Sequence, residues 1–274
     1  MTAAGISETL RRAADAVRED GWALLEGVVA PRSLERINEV LEEETKRRLA
    51  AEPWRRRFLQ GPPLAPPFVL ADVVANPQVV AVTRNVLGAG VYCNLYSTNT
   101  NCPGSTSQPV HVDAGQLWPG LRRGHPPATL AVNIPLIPST AENGTIEIWP
   151  GTHLDTRATY QVDPRDLDAR REIAPPIALE LPLGSVLLRD LRLWHRGLAN
   201  PSSVNRHLLT MNHNVFWLER GPKVRFVSGC EASLAGTELA WHAEFVDGPV
   251  NRVAAGSPPQ RGETRWVEKR SPTR

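Results

Sequence analysis

The chain has 274 residues, a formal net charge of +2 and 41% hydrophobic residues. Near-neutrality gives no electrostatic basis for binding nucleic acid or a membrane surface. The absence of any apolar run of about 18 residues argues against a transmembrane helix. Three cysteines, Cys93, Cys102 and Cys230, form no disulfide or CxxC pattern. The first fifteen residues lack the basic and apolar regions of a secretory signal. These features predict a reduced, cytoplasmic protein. The short basic runs Arg55-Arg56-Arg57 and Arg122-Arg123 are expected on solvated faces or loop edges.

The N-terminal part, about 7–88, reads as helical. Leu10, Ala13, Ala14 and Val17 recur at the spacing of one buried helix face, with Ser7 as N-cap and Gly21 as stop. An apolar strand follows over Trp22 to Val29. Pro31 opens a second helix with Leu34, Ile37 and Leu41 on one face. Gly61 to Pro67 is proline-rich loop. Asn76-Pro77 starts a third helix carrying Val79, Val80, Thr83, Val86 and Leu87, which ends at Gly88.

Beyond Gly88 the pattern changes to short β-prone runs between turn residues: Val91–Thr100, Pro109–Asp113, Ala128–Ile137, Thr145–Trp149, Ile177–Leu181, Ser185–Leu188 and His207–Leu218. The charged stretch from Asp155 to Pro176 reads as an excursion, and 248–274 as an irregular tail. The expected fold is mainly β with flanking α-helices: one domain over 1–274, whose barrel, at about 91–230, is a jelly roll.

Two of the seven histidines stand out. In an extended segment His111 and Asp113, two residues apart, project from the same face. His-X-Asp alone is a weak signal. His195 strengthens it, because it follows a strand-like run over 184–190 and precedes a turn. Two histidines and a carboxylate on one face of an octahedral ion form the facial triad of non-haem iron(II) oxygenases and leave three positions open. A 2-oxo acid fills two of these and O2 the third. The far carboxylate of that acid needs a fixed cation. Arg206, eleven residues past His195, offers a planar fork on the next strand.

The set His111-X-Asp113, His195 and Arg206 resembles the phytanoyl-CoA dioxygenase-like family of iron(II)/2-oxoglutarate-dependent oxygenases. Three further segments carry the likeness. They are Glu19-Asp20-Gly21-Trp22, Asn143-Gly144 leading to Pro150-Gly151-Thr152-His153, and Gly184 to Asn200, in which Ser185 replaces the usual aspartate. The resemblance runs from about residue 10 to about residue 218. It implies a double-stranded β-helix, a cupin-like barrel, with iron(II) held by His111, Asp113 and His195, and with 2-oxoglutarate and O2 as cosubstrates. It implies that Gln108 contacts the metal-proximal end of 2-oxoglutarate, against a plain strand-end polar role. Asn133 is expected either to reach the cosubstrate or to be a buried structural amide. Related halogenases carry a small residue in place of the carboxylate, so Asp113 argues against halogenation.

Substrate contacts are expected from Asn94, Tyr96, Leu117, Trp118, Met211, His213 and Phe216, with Trp118 equally readable as core and His213 as structural. His153 is expected to hold a loop, and His207 to point away from the cosubstrate by alternation with Arg206. His125 is expected near the barrel mouth, and His242 to be structural or exposed. The expected activity is oxidation of a small molecule, by hydroxylation as the default with desaturation, epimerisation, cyclisation or epoxidation left open, with a natural-product intermediate as the substrate class and a monomer or homodimer as the assembly. A non-catalytic binding barrel, or a cupin-like metalloenzyme that does not use 2-oxoglutarate, is the alternative.

Overall fold

The computed structural model describes residues 7–118, 120–157 and 160–250. The tail expected to be irregular lies outside the described residues from 251 onward. The helical N-terminal part forms largely as its sequence predicts. Helix α1 spans Glu8–Glu19, Ser7 Oγ accepts from the Leu10 amide, and Ala14 and Val17 are buried. Strand β1, Trp22–Leu25, is shorter than expected. Helix α2 is Pro31–Ala51, opened by proline where no amide hydrogen is needed. Strand β2, Arg57–Gln60, was not foreseen. It is followed by the short α3, Ala71–Val74, and by α4, Pro77–Leu87, whose N-cap Asn76 accepts from the Gln78 and Val79 amides.

The β region consists of β3 (Tyr92–Asn101), β4 (Thr129–Pro135), β5 (Ile146–Ile148), β6 (Ile177–Ala178), β7 (Val186–Asp190), β8 (His195–Gly197) and β9 (Arg206–Asn214). Helix α5, Pro164–Ile173, lies within the charged excursion. The C-terminal described part adds β10 (Val224–Val227), α6 (Glu231–Leu234), β11 (Ala240–Trp241) and β12 (Ala243–Val246), none of them foreseen.

The larger sheet runs β1-β7-β4-β9-β3-β11, with β2 also paired to β3. A smaller sheet runs β6-β5-β8. It is prolonged past β8 by the bridges of His111 to His195 and to Gln161. The stretch 109–113 is therefore extended but makes only bridges, where a full strand was expected. The two sheets form an open jelly roll rather than a closed barrel.

Alternation sorts every strand residue to one of two faces. On one side of the larger sheet, Leu130, Val132, Ile134, Val186, Leu188, Leu209 and Met211 pack with Ala14, Val17, Leu34, Ile37 and Leu41 of the helices. On the other side, Leu187 and Leu208 meet Ile146, Ile148, Leu179 and Leu181 of the smaller sheet. Leu188 is fully buried in the helix-facing core. Leu188→Ala is expected to cost about 2–5 kcal/mol of stability in urea denaturation.

Candidate metal centre

The space between the sheets holds the polar residues that the packing does not explain. Along 110–113, Val110 and Val112 turn outward against Trp149, Trp194 and Val162. His111 and Asp113 therefore turn inward. Trp194 and His195 divide in the same way, and His195 sits opposite Ile148 in register. Backbone bonds lock the two segments together: His111 and His195 exchange amide bonds at 3.0 Å, and the Asp113 amide donates to Leu191 O at 2.9 Å.

The ligand atoms of His111, Asp113 and His195 all lie within 4.8 Å of one another, a group that could hold a metal ion. His111 Nε2 is 3.8 Å from Asp113 Oδ1, and His195 Nε2 is 3.5 Å from Asp113 Oδ2. Each imidazole also makes the same local contact. His111 Nδ1 lies 2.9 Å from Pro109 O, and His195 Nδ1 lies 2.9 Å from Leu193 O. A carbonyl only accepts, so Nδ1 carries the proton in the neutral ring and donates it. Both Nε2 lone pairs are left facing Asp113, as a metal ligand requires. Burial, then the charge of Arg189, lowers His195 to about 3, so it is neutral near pH 7. Burial alone would raise the Asp113 carboxyl, but Arg189, then His195, outweigh it and hold it well below the ordinary carboxylate range. Two imidazole Nε2 atoms and one ionised carboxylate suit a divalent cation such as iron(II). The Asp113 side chain is 36% exposed against 6% for His195, so the open side of the group lies at the carboxylate.

A second cluster follows β8 away from His195. The Gly197 amide donates to Gln108 Oε1 at 2.9 Å, and the Gln108 amide donates to Gly197 O. Arg57 Nη2 donates to Leu198 O at 2.9 Å, and Asn101 Nδ2 bridges Leu198 O and Gly144 O. Arg206 Nε and Nη2 both donate to Gly144 O. Arg206 Nη1 is buried without a hydrogen-bond partner among the described residues. Burial, then the nearby charge of Arg57, pushes the Arg206 guanidinium down to about 9. Arg57 is thus half-buried at this cluster, which corrects its expected place on a solvated face. Any side chain at Gly197 would collide with the Arg57 guanidinium and with Gln108 Oε1.

Asn133 faces the same interior. Its Nδ2 donates to Thr210 Oγ1 at 2.9 Å, and its Oδ1 accepts from Arg189 Nε at 3.2 Å. It therefore reaches Asp113 through Arg189. Sequence reasoning passed over Arg189. Its signal was a charge directly after the apolar run Val186-Leu187-Leu188, on the same strand, a position where arginine is buried only with a partner.

The candidate substrate residues divide. Tyr96 and Met211 are paired across β3 and β9 and belong to the helix-facing core. His213 Nδ1 contacts Thr83 Oγ1 of α4 at 3.2 Å. All three face away from the triad, so their expected substrate role is corrected. They share the parity of His207, which turns outward to Glu42, at 3.1 Å, and to Thr100. Asn94 sits beside the β-bulge of β3, where it donates to Arg220 O and accepts from Asn214 Nδ2. Leu117, Trp118 and Phe216 are exposed. Trp118 stacks edge-on to His125 and lies 6.3 Å, between centroids, from the exposed Trp217, so it is not core. His153 bonds Arg18 O and packs against Gly21, tying its loop to the end of α1 as expected. His242 contacts Gly221 O.

His213 gives a test of its structural role. Burial lowers it from 6.5 to about 3, and its Nε2 is buried without a hydrogen-bond partner among the described residues. Above pH 6.5 both folded and unfolded forms are neutral there, and nothing changes. As pH falls below 6.5, the unfolded chain takes a proton that the folded chain refuses, so stability drops. His213→Leu is expected to remove about 1–2 kcal/mol of the loss between pH 6.5 and 5, read from urea midpoints. Thr83 Oγ1 keeps its bond to Val80 O in that variant.

The open jelly roll brings two imidazoles and a carboxylate together between its sheets, a group that could hold a single metal ion. The family model for Phytanoyl-CoA dioxygenase (PhyH) matches residues 17–208, and the chain belongs to that family. Dioxygenase FrzG from Cladobotryum sp is 27% identical over 160 residues, which is 58% of this chain and 48% of that protein. The match thus spans about half the length of that curated relative. Two solved structures share the fold. AviO1 from Streptomyces viridochromogenes Tue57 aligns with a TM-score of 0.58 at 19% identity, covering 80% of this chain and 100% of that one. EvdMO1 aligns at 0.55 and 18% identity, covering 75% of this chain and 49% of that one. No helix among the described residues is long and apolar enough to cross a membrane.

Proposed function

We propose that this dioxygenase-family chain is an iron(II)- and 2-oxoglutarate-dependent oxygenase that oxidises a small organic molecule, with a natural-product intermediate as the substrate class. The observation that carries the reading is the pairing of two features, one on each sheet. A group able to hold a metal lies at His195, and farther along the chain is a buried arginine whose Nη1 has no partner among the described residues. A buried cation without a counter-ion is costly, and a ligand carboxylate removes that cost.

In this reading His111, Asp113 and His195 hold iron(II). Bound iron with 2-oxoglutarate supplies the oxygen activation that no side chain can. The protein's own share is binding and positioning. The Nδ1 bonds to Pro109 O and Leu193 O fix both rings. Arg206 takes the far carboxylate of the cosubstrate and Arg57 adds charge beside it. Gln108, tied to Gly197, borders the cosubstrate's path. The exposed Trp118 and Phe216, with Leu117 and Trp217, offer apolar surface for substrate.

The test is substrate-independent decarboxylation. Parent protein with iron(II), ascorbate and 2-oxoglutarate is expected to release succinate slowly without added substrate, and His111→Ala is expected to release none. Equal release by both proteins would contradict the assignment. Activity on a substrate that persists without 2-oxoglutarate would favour a cupin-like metalloenzyme.

A further inference from the structure

Three metal ligands and a cosubstrate arginine leave Arg189 unexplained. It lies on β7, 4% exposed, on the same face as Leu187. Its Nη2 donates to Asp113 Oδ2 and its Nε to Asn133 Oδ1. Asn133 is held by Thr210. A line of polar contacts, Thr210–Asn133–Arg189–Asp113, thus crosses the neighbouring strands β9, β4 and β7 and ends on one oxygen of a candidate ligand. Burying a guanidinium costs several kcal/mol unless it is paired. Packing alone would be served by another leucine, as at Leu187.

We propose that Arg189 is a positioning residue of the metal centre, which holds Asp113 Oδ2 so that Asp113 offers the metal Oδ1 alone. A carboxylate can ligate through one oxygen or two. If Asp113 gives one, an octahedral ion keeps three positions, enough for a two-point cosubstrate and one further small ligand. If Asp113 gives two, only two positions remain, and the cosubstrate must compete with a protein oxygen. Arg189 decides between these states because its own position is fixed through Asn133 rather than through the metal. The inference rests on the proposed metal site. Its simplest rival is that Arg189 only neutralises Asp113 and has no effect on coordination.

The experiment compares parent, Arg189→Leu and Arg189→Lys, each loaded anaerobically with Co(II), whose visible spectrum reports coordination number. Thermal melting of the metal-free proteins checks folding. Arg189→Leu is expected to bind Co(II) within about tenfold of the parent, less than the usual loss of about 10–100-fold for an outer-shell partner, because a charge that repels the metal is lost together with the ordering contact. Its visible spectrum should differ from the parent's. Its affinity for 2-oxoglutarate should fall at least tenfold. Arg189→Lys, which keeps one donor and the charge, should restore the parent spectrum. If Arg189→Leu does not fold, Asn133→Leu replaces it, since that change removes the Nε acceptor without touching ligand or charge, and a shift in the same direction is expected. Superimposable spectra in all variants would overturn the proposal. A parent that binds no Co(II) would overturn it together with the metal site. A parent that binds Co(II) but not 2-oxoglutarate would sink the proposed function, while the spectral comparison would still decide the role of Arg189.

Discussion

Arg206→Leu is expected to weaken 2-oxoglutarate binding by roughly 10²–10³-fold, the range for truncating one partner of a buried, hydrogen-bonded charge pair. Metal affinity should change little, because Arg206 touches none of the three ligands. A second effect separates this from general damage. In the ligand-free protein, Arg206 is a buried cation whose Nη1 has no partner among the described residues. Its one acceptor among the described residues, Gly144 O, is also served by Asn101 Nδ2 at 2.9 Å. Leucine therefore removes an unpaired charge and leaves the carbonyl satisfied. The ligand-free variant should melt no lower than the parent, while losing the stabilisation that 2-oxoglutarate gives the parent. Arg206→Lys should recover only part of the affinity, since an ammonium cannot present the planar fork. A variant that melts lower and still gains stability from 2-oxoglutarate would show that Arg206 is structural.

The second large effect concerns the metal. His195 is the most enclosed of the three candidate ligands, bridged to His111 and 3.5 Å from Asp113 Oδ2. His195→Ala should reduce iron(II) or Mn(II) affinity by more than about 100-fold, since loss of an outer-shell partner alone typically costs 10–100-fold. Isothermal titration under argon measures this. The fold should survive, because the backbone bonds between His111 and His195 do not involve the side chain. Retained affinity in a folded variant would place the metal elsewhere.

The part of this protein that was legible in its sequence is the part governed by local rules. Helices α1, α2 and α4 are marked by apolar spacing, by the caps Ser7 and Asn76, and by Pro31 and Pro77 at their first turns. His111 and Asp113 could be placed together because extended chain repeats every two residues. Their neighbours Val110 and Val112 turn to the opposite side as that period demands. The same rule was available on β9 and would have excluded Met211 and His213, which share the outward parity of His207. Tyr96 was harder, since the bulge between Cys93 and Tyr96 breaks the parity of β3.

The rest depended on contacts distant in sequence. Arg57 reads as one of three surface arginines until β2 pairs with the end of β3 and brings it beside Leu198 and Arg206. Arg189 and Asp113 are 76 residues apart, and only the docking of the smaller sheet onto the larger joins them. The short strands β10 to β12 have too few residues for periodicity to speak.

The most direct measurement of the central claim is optical. Parent protein, purified anaerobically and mixed with iron(II) and 2-oxoglutarate, should develop the weak visible metal-to-ligand charge-transfer band of a cosubstrate chelated to iron. The band should be absent in His111→Ala and should require far more 2-oxoglutarate in Arg206→Ala. If iron binds to the parent and no band forms at any 2-oxoglutarate concentration, the cosubstrate assignment is wrong, and the cleft between the sheets serves a different chemistry.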